Sequence, residues 1–341
     1  MNTLNALLKN KIRVLLVGKP GTAKTARILA AASAEGYTVT VFRASLAERV
    51  DLGGCLIPDT AAGITRALPL EMLHKLRSAT SPQLLVLDDL GQAPMDVQAA
   101  AMSLFDSGAL PECVVVWGAT NRPADKAGVC GLCEPLRSRF HCAFSIATPD
   151  EQDRADGAQY LGTWAEEVRG WCDWAAGQEF APEIVAWHEA TGGRTLYQWR
   201  PLADPAARLP DFRSWETVSK LWNAGLRDLR TVAAAIGKPA AAEFLAFAAL
   251  ADQLPTPAQV WLDPDGAPIP AEPAAQYLIA SMLSRSAESK NADSLIRYFS
   301  RLDRVAGAYC ARSSFKRLGA KLAGTSAWQK WWLANRSLFE C

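Results

Sequence analysis

Apolar residues in the first 150 positions form short runs separated by segments with helical spacing. Two of these runs, residues 84–90 and 113–123, are almost uninterrupted, which is typical of parallel strands covered on both faces. The runs predict strands at residues 13–17, 37–43, 84–90, 113–123 and 140–146. Between them, helices are predicted at residues 24–34, 67–80 and 95–105. Strands that alternate with helices predict an α/β domain with a central parallel sheet.

The pattern changes near Pro149. Beyond it strand patterns are absent, and apolar and tryptophan residues recur at helical spacing up to the end of the sequence. Two segments lack clear periodicity. Residues 46–66 predict a loop or an interrupted helix, and the proline-rich residues 254–273 predict a linker or long loop.

Composition and charge narrow the class of protein. Half of the 341 residues are hydrophobic and 21% are charged, which is typical of a globular protein with two or three domains. With a formal net charge of +1, the protein has no large positive electrostatic field to drive nonspecific binding of nucleic acid. The sequence shows no signal-peptide pattern and no apolar stretch that could span a bilayer, so we expect a cytoplasmic protein without a membrane role. Eight cysteines are then expected to be reduced thiols.

The stretch GKPGTAKT, between the first predicted strand and a predicted helix, has the pattern of a phosphate-binding loop. Backbone N–H groups of such a turn converge on phosphate oxygens at the positive end of the helix dipole. Its lysine would reach the β- and γ-phosphates, and its threonine hydroxyl would ligate Mg²⁺. An alanine replaces the second glycine of the usual pattern. The candidate ATP-binding residues are Gly18, Lys19, Pro20, Gly21, Thr22, Ala23, Lys24 and Thr25.

Polar residues end the next two apolar runs. Asp88 can hold Mg²⁺, and Asp89 stands where many ATPases place a glutamate that polarises the attacking water. Asn121, at the end of the following strand, can contact the γ-phosphate or position water. Because functional groups gather at the carboxyl ends of parallel strands, we expect these residues to meet Gly18 there. An alternative is that the Asp88–Asp89 pair only ends a strand and caps a helix.

In the order GKPGTAKT, LLVLDDL, GATNRP and EPLRSRF, these motifs resemble a AAA+ ATPase. The alanine before the lysine and the form AGVCGLCEPLRSRF resemble the MoxR-like branch, especially its phage- and prophage-associated members. The resemblance extends to LPDFRSWETVSKLW and covers residues from about 10 to 225. It implies a P-loop NTPase AAA+ core at residues 1–148, an α-helical lid at 149–240 and a C-terminal helical extension at 241–341.

The resemblance also implies roles for individual residues. Asn121 would be the first sensor and Arg213 the second. Arg139 matches the arginine finger that reaches a neighbouring subunit's nucleotide, with Arg137 as a close alternative. A finger supplied in trans implies a homo-oligomeric ring, usually a hexamer. The cofactors implied are ATP and Mg²⁺, and MoxR-like proteins typically work with a partner that carries a von Willebrand A-type domain.

Three hypotheses of function follow. The first is a ring ATPase that remodels a protein partner, the second a nucleic-acid motor or loader on the same core, and the third a nucleotide-gated scaffold with little turnover. The near-neutral charge argues against the second, and the shorter Asp89 keeps the third open. Residues 50–65 are the candidate partner-binding loop, because related ATPases place inserts facing the ring pore there.

Two further clusters have alternative interpretations. Cys130, Cys133, His141 and Cys142 offer four zinc ligands, but adjacent residues on a strand point to opposite faces, which argues against zinc. Three tryptophans near the C-terminus lie at helical spacing and are predicted to pack in a core, although tryptophan can also anchor a partner.

Overall fold

The computed structural model describes residues 3–125, 128, 130–150, 157–204 and 206–335. The chain divides into two units. The first consists of Met1–Thr163 with Trp199–Pro201, and the second of Trp164–Gln198 with Leu202–Cys341. The three-domain division expected from the sequence stays a prediction.

The first unit is built on a five-stranded parallel sheet, so the predicted α/β fold with a central parallel sheet is confirmed. Its strands lie in the spatial order β2, β5, β6, β1 and β7. The strands among the described residues of this unit, which include an antiparallel hairpin of β3 and β4, are β1 (Val14–Val17), β2 (Thr38–Arg43), β3 (Cys55–Asp59), β4 (Ile64–Leu68), β5 (Gln83–Asp88), β6 (Val114–Thr120) and β7 (Cys142–Ser145).

Helices cover both faces of this sheet. Successive residues of β5 show the two faces, because Leu84 and Val86 lie in one apolar core and Leu85 and Leu87 in the other. Because both faces of this strand are buried, successive residues are apolar, which accounts for the uninterrupted apolar run in the sequence. The helices of the first unit are α1 (Thr3–Lys9), α2 (Lys24–Ala34), α3 (Arg49–Gly53), α4 (Glu71–Arg77), α5 (Met95–Met102) and α6 (Glu134–Arg137). Short 3-10 helices occur at Ala44–Leu46, Leu90–Gln92, Ser103–Phe105 and Pro123–Asp125.

The segment 46–66, predicted as a loop or an interrupted helix, holds the short helix α3 but also β3 and the start of β4, so the prediction missed the hairpin. Gly54 has φ 84°, and a Cβ at this position would lie 2.7 Å from the Leu68 carbonyl oxygen, so glycine permits the close strand start. Because Leu68 pairs with Cys55, the helix predicted from residue 67 begins only at Glu71. Nearly all hairpin residues are exposed, so their sequence lacks the alternation of apolar and polar residues that predicts a strand.

The second unit consists of helices over the residues that the structure describes. They are α7 (Trp164–Ala176), α8 (Pro182–Thr191), α9 (Phe212–Asn223), α10 (Leu229–Ile236), α11 (Lys238–Ala248), α12 (Pro257–Leu262), α13 (Pro273–Ser286), α14 (Ala292–Phe299), α15 (Arg304–Leu318), α16 (Ala320–Ala323) and α17 (Ser326–Asn335). Two 3-10 helices cover Ala249–Gln253 and Ser289–Asn291. No helix in the described ranges is long and apolar enough to cross a membrane.

The proline-rich segment 254–273 is not a free linker, because it contains α12. The side chains of Thr256 and Gln259 form a reciprocal capping box at the start of this helix. Val260 is fully buried in the C-terminal apolar core, which explains why the segment folds back on the unit. The tryptophan stripe packs mainly as expected, since Trp328 is buried in the same core and Trp331 packs against it.

A neutral histidine lies inside the second unit. His188 on α8 is fully buried, and neither ring nitrogen has a hydrogen-bond partner among the described residues. Its ring stands edge-on to Trp171 and Trp215, with ring centroids 5.1 and 4.3 Å away. Burial lowers the pKa of His188 from 6.5 to about 3. The folded protein therefore keeps this side chain uncharged at every pH near neutrality.

This burial predicts a loss of stability in mild acid. The unfolded chain takes up a proton on His188 below about pH 6.5 and the folded chain does not, so the free energy of unfolding falls as the pH drops towards 3. The contribution at pH 5 is about 2 kcal/mol. In chemical denaturation at pH 7 and pH 5, His188→Leu should reduce the difference between the two values by about that amount.

The change in pH dependence between the original protein and His188→Leu can be assigned to His188 for two reasons. Burial raises the pKa of the neighbouring Glu189, which acts in the opposite direction, but this carboxyl is present in both proteins. Val185→Ala, a buried change on the same helix, should lower stability equally at both pH values. An unchanged pH difference in His188→Leu would contradict the prediction.

Candidate nucleotide-binding site

The carboxyl ends of three neighbouring strands form the candidate site. β1 lies beside β6, and β6 beside β5, so the residues that follow these strands meet at one edge of the sheet. The loop GKPGTAKT connects β1 to α2, Asp88 ends β5, and Asn121 follows β6. A hydrogen bond from the Gly18 amide to the Thr120 carbonyl oxygen (3.2 Å) joins the loop to β6.

Lys24 is the best-connected side chain of the site. Its Nζ donates to the carbonyl oxygens of Gly18 (2.9 Å) and Lys19 (3.0 Å) and to Asn121 Oδ1 (2.6 Å). Burial lowers its pKa to about 8, although the carboxylates of Asp89 and Asp88 act to raise it. The ammonium form therefore still predominates at pH 7, and the charge that would bind phosphate is in place.

Thr25 and Asp88 form the second contact of the site. The Thr25 hydroxyl donates to both carboxylate oxygens of Asp88, at 2.9 and 3.0 Å. A cleft of about 610 Å³ opens beside these two residues. One hydroxyl and one carboxylate suit Mg²⁺, which prefers oxygen ligands and completes its shell with waters and substrate phosphates.

No group of three or more His, Cys, Asp or Glu side chains that could hold a metal occurs in the described ranges. A Mg²⁺ ion at the Thr25–Asp88 pair would not need such a group, because phosphate oxygens and waters would supply its other ligands.

Left-handed backbone marks two positions of the site. The described non-glycine residues with positive φ are Lys11, Ala23 and Asp89. Ala23 (φ 58°, ψ 31°) precedes the first residue of α2 and turns the loop into the helix. A Cβ in this conformation is strained by roughly 1 kcal/mol, which is why glycine is the usual residue there.

Asp89 has the same backbone conformation, with φ 53° and ψ 37°. The chain turns sharply after β5, and the Gly91 amide donates to the Thr120 hydroxyl at 3.1 Å. Aspartate is one of the few residues that adopt left-handed backbone with little strain, whereas glutamate does so rarely. The turn gives a physical reason for the shorter carboxylate at this position.

The two candidate finger residues differ in their surroundings. Arg137, at the end of α6, pairs with Glu134 at 2.8 Å on the exposed surface. Arg139 is exposed, and no polar partner of its side chain occurs among the described residues. The next residue, Phe140, is buried edge-on against Phe105 (5.2 Å between ring centroids) and fixes the backbone at this point. Arg213 lies on the exposed side of α9 in the second unit, and its role stays a prediction.

The structure also places two ion pairs at the site that the sequence analysis missed. Arg122 clamps Asp125 through two side-chain hydrogen bonds (2.7 and 3.1 Å), which fixes the turn after Asn121. The spacing of three residues was a local signal for this pair. Lys19 pairs with Asp150, which lies 131 residues away, and no local pattern announces that contact.

Comparisons with known proteins give only distant matches. No family model and no curated protein matches this chain. The Thermotoga maritima RuvB Holliday junction branch migration motor matches with 18% identity and a TM-score of 0.37, over 71% of this chain and 65% of RuvB. NtrX from Brucella abortus in complex with ADP matches with 12% identity and a TM-score of 0.40, over 99% of this chain and 67% of NtrX. A further RuvB structure is covered over only 47% of its length.

The strand order and the loop define the class of fold. A five-stranded parallel sheet with a glycine-rich loop between β1 and α2, followed by a helical region, fits a P-loop α/β core with additional helices. TM-scores of 0.37 and 0.40 indicate a distant likeness in fold and do not extend to activity. The functional assignment therefore rests on the residues of the site.

The strain at Ala23 predicts that glycine stabilises the loop. Ala23→Gly removes a Cβ from a left-handed position and should raise the free energy of unfolding by about 0.5–1 kcal/mol in chemical denaturation. The matched control is Ala30→Gly, at an exposed and regular position of α2, which should lower stability by about 1 kcal/mol. Destabilisation by both changes would show that Ala23 is not strained.

Proposed function

We propose that this protein is a MoxR-like AAA+ ring ATPase that binds and hydrolyses Mg-ATP and remodels or activates a protein partner. One observation carries the proposal. The four residues that the sequence singled out from three separate motifs form two hydrogen-bonded pairs at one edge of the sheet, Lys24 with Asn121 and Thr25 with Asp88. An ordinary glycine-rich turn has no reason to bury a lysine next to a strand-end carboxylate.

Nucleotide binding follows from the groups at this edge. The loop amides at the start of α2 and the Lys24 ammonium would bind phosphate oxygens, and Asn121, whose Oδ1 accepts from Lys24 Nζ, lies where its amide could contact the γ-phosphate. Thr25 and Asp88 are the residues that would hold Mg²⁺, and a bound Mg²⁺ would neutralise charge on the phosphates.

Hydrolysis needs groups that position water and stabilise the transition state. Asp89 orients the attacking water, and Arg139 of one subunit reaches the nucleotide of the next. The exposed side chain of Arg139, beside the buried anchor Phe140, favours it over the ion-paired Arg137. Because the finger acts in trans, turnover depends on assembly into a homo-oligomer, for which the family resemblance implies a hexamer.

The β3–β4 hairpin is the candidate surface for a protein partner. Its exposed apolar side chains include Leu56, with 74% of its surface exposed, Ile64 and Leu68. Exposed apolar groups on a hairpin suit contact with an unfolded or extended polypeptide. The family resemblance implies a partner with a von Willebrand A-type domain.

A nucleotide-gated scaffold is the second candidate, and the left-handed backbone conformation of Asp89 favours it. A short carboxylate fixed on a sharp turn has less reach to a water beyond the γ-phosphate than a glutamate. The two candidates differ in one measurement. Steady phosphate release from the assembled protein supports the ATPase, whereas tight ATP binding without release supports the scaffold.

The nucleotide site predicts the effect of removing the Lys24 charge. Lys24→Met keeps the side-chain length but removes a buried charge-assisted contact, so affinity for a fluorescent ATP analogue should fall about a hundredfold. Lys9→Met, an exposed change on α1, serves as control and should bind like the original protein. Equal affinity of the Lys24 variant would exclude the proposed phosphate contact.

The finger assignment predicts a separation of binding from turnover. Arg139→Ala should leave ATP affinity unchanged and reduce phosphate release about a thousandfold, because the missing charge acts only on the neighbouring subunit's transition state. Arg137→Ala, which loses only the surface pair with Glu134, should keep its turnover. The reverse pattern would assign the finger to Arg137.

Measuring the molecular mass of the assembled protein tests whether it forms a ring. Light scattering with and without ATP should show assembly in the original protein, and mixtures with Lys24→Met subunits should lose turnover faster than in proportion to the mixing ratio. A monomer that hydrolyses ATP at full rate would rule out a finger supplied in trans.

A further inference from the structure

The phosphate loop contains a second lysine, Lys19, whose role the proposed nucleotide contacts leave open. Its side chain is only 8% exposed, so its ammonium group is removed from solvent. Its Nζ forms an ion pair with the carboxylate of Asp150. The pair supplies a countercharge to an ammonium that has little contact with water, while the carboxylate itself stays largely exposed.

Asp150 is itself held in place. Its carboxylate accepts a hydrogen bond from the hydroxyl of Thr148 (2.9 Å), and Thr148 is fully buried. The Ile146 amide donates to the Val17 carbonyl oxygen (3.0 Å), so the segment after β7 continues along β1. Burial acts to raise the pKa of Asp150, but hydrogen bonds from Lys19 and Thr148 outweigh it and lower the pKa below its ordinary value.

The backbone of Lys19 explains why this anchor matters. Its carbonyl oxygen accepts hydrogen bonds from Lys24 Nζ (3.0 Å) and from the Thr22 hydroxyl (2.8 Å). The peptide that Lys19 contributes therefore orients the phosphate-binding lysine and closes the turn of the loop. Any shift of Lys19 moves an acceptor of the Lys24 ammonium.

We propose that Lys19 is a positioning residue for nucleotide: its ion pair with Asp150 anchors the first turn of the phosphate loop to the segment after β7. Lys19 acts through Lys24 and the loop amides and makes no phosphate contact of its own. This inference rests on the proposed nucleotide binding, which it deepens by adding Asp150, a residue outside every motif of the sequence.

A direct phosphate contact by Lys19 makes the opposite prediction. Lys19 would then have to leave Asp150, and neutralising this carboxylate would release the lysine and strengthen ATP binding. An anchoring pair needs both charges, so neutralising either one should weaken ATP binding. The sign of the change in Asp150→Asn separates the two roles.

The experiment is a double-mutant cycle on the full chain, with the dissociation constant of a fluorescent ATP analogue as the measured quantity. Lys19→Met and Asp150→Asn should each weaken binding about fivefold, since Asp150 is 61% exposed and such pairs are weak. The double variant should bind no more weakly than either single variant. Lys19→Arg keeps the charge and should restore affinity to within about twofold.

Two further readouts separate positioning from general stability. The KM for ATP should rise in both single variants while kcat at saturating ATP stays constant, and thermal unfolding without nucleotide should shift little. Lys9→Met is the matched surface control. If Lys19→Met fails to fold, Asp150→Asn alone still decides the sign, because its carboxylate is mostly exposed.

Several outcomes would overturn the proposal. Tighter ATP binding by Asp150→Asn would make Lys19 a direct ligand, additive losses would make the two residues independent, and unchanged affinities would leave only a structural pair. Failure of the proposed function is distinguishable, because the original protein would then bind no ATP analogue in the same assay.

Discussion

The site depends on the burial of one charge, the ammonium of Lys24. A buried ammonium must find acceptors, and here they come from the carbonyl oxygens of Gly18 and Lys19 and from Asn121. Because the acceptors lie in the loop and just after β6, the loop folds over the start of α2 and contacts the end of β6. The same arrangement places an ammonium at the edge of the sheet where the proposed nucleotide phosphates would bind. The fold and the proposed chemistry thus share one constraint.

The local backbone carries the strain that this geometry creates. Ala23 and Asp89 both adopt left-handed conformations, one where the loop enters α2 and one where the chain leaves β5. Strained positions persist where the surrounding structure fixes them, and they gather at functional sites. At Asp89 the turn also limits the side chain, because aspartate tolerates this backbone better than glutamate. The shorter carboxylate on this turn is compatible both with an ATPase and with a nucleotide-gated scaffold.

The success of the sequence analysis varied with the way each segment is buried. Strands β1, β5 and β6 were predictable because burial on both faces produces apolar runs. The β3–β4 hairpin was missed because its residues are exposed on both faces and carry no alternation. Helix α12 was missed because six residues are too few to show a helical period, and tertiary packing of Val260 stabilises it.

The sequence by itself determined the order and chemistry of the motifs: a loop with Lys24 and Thr25, an acidic strand end at Asp88 and a polar strand end at Asn121. Each of these signals is local, since it consists of a strand pattern followed by a few polar residues. Only the tertiary structure decided which side chains meet. Lys24 and Asn121 are 97 residues apart, and Lys19 and Asp150 are 131 apart. Such contacts depend on the order of strands in the sheet, and short-range patterns along a chain carry no record of which strands become neighbours.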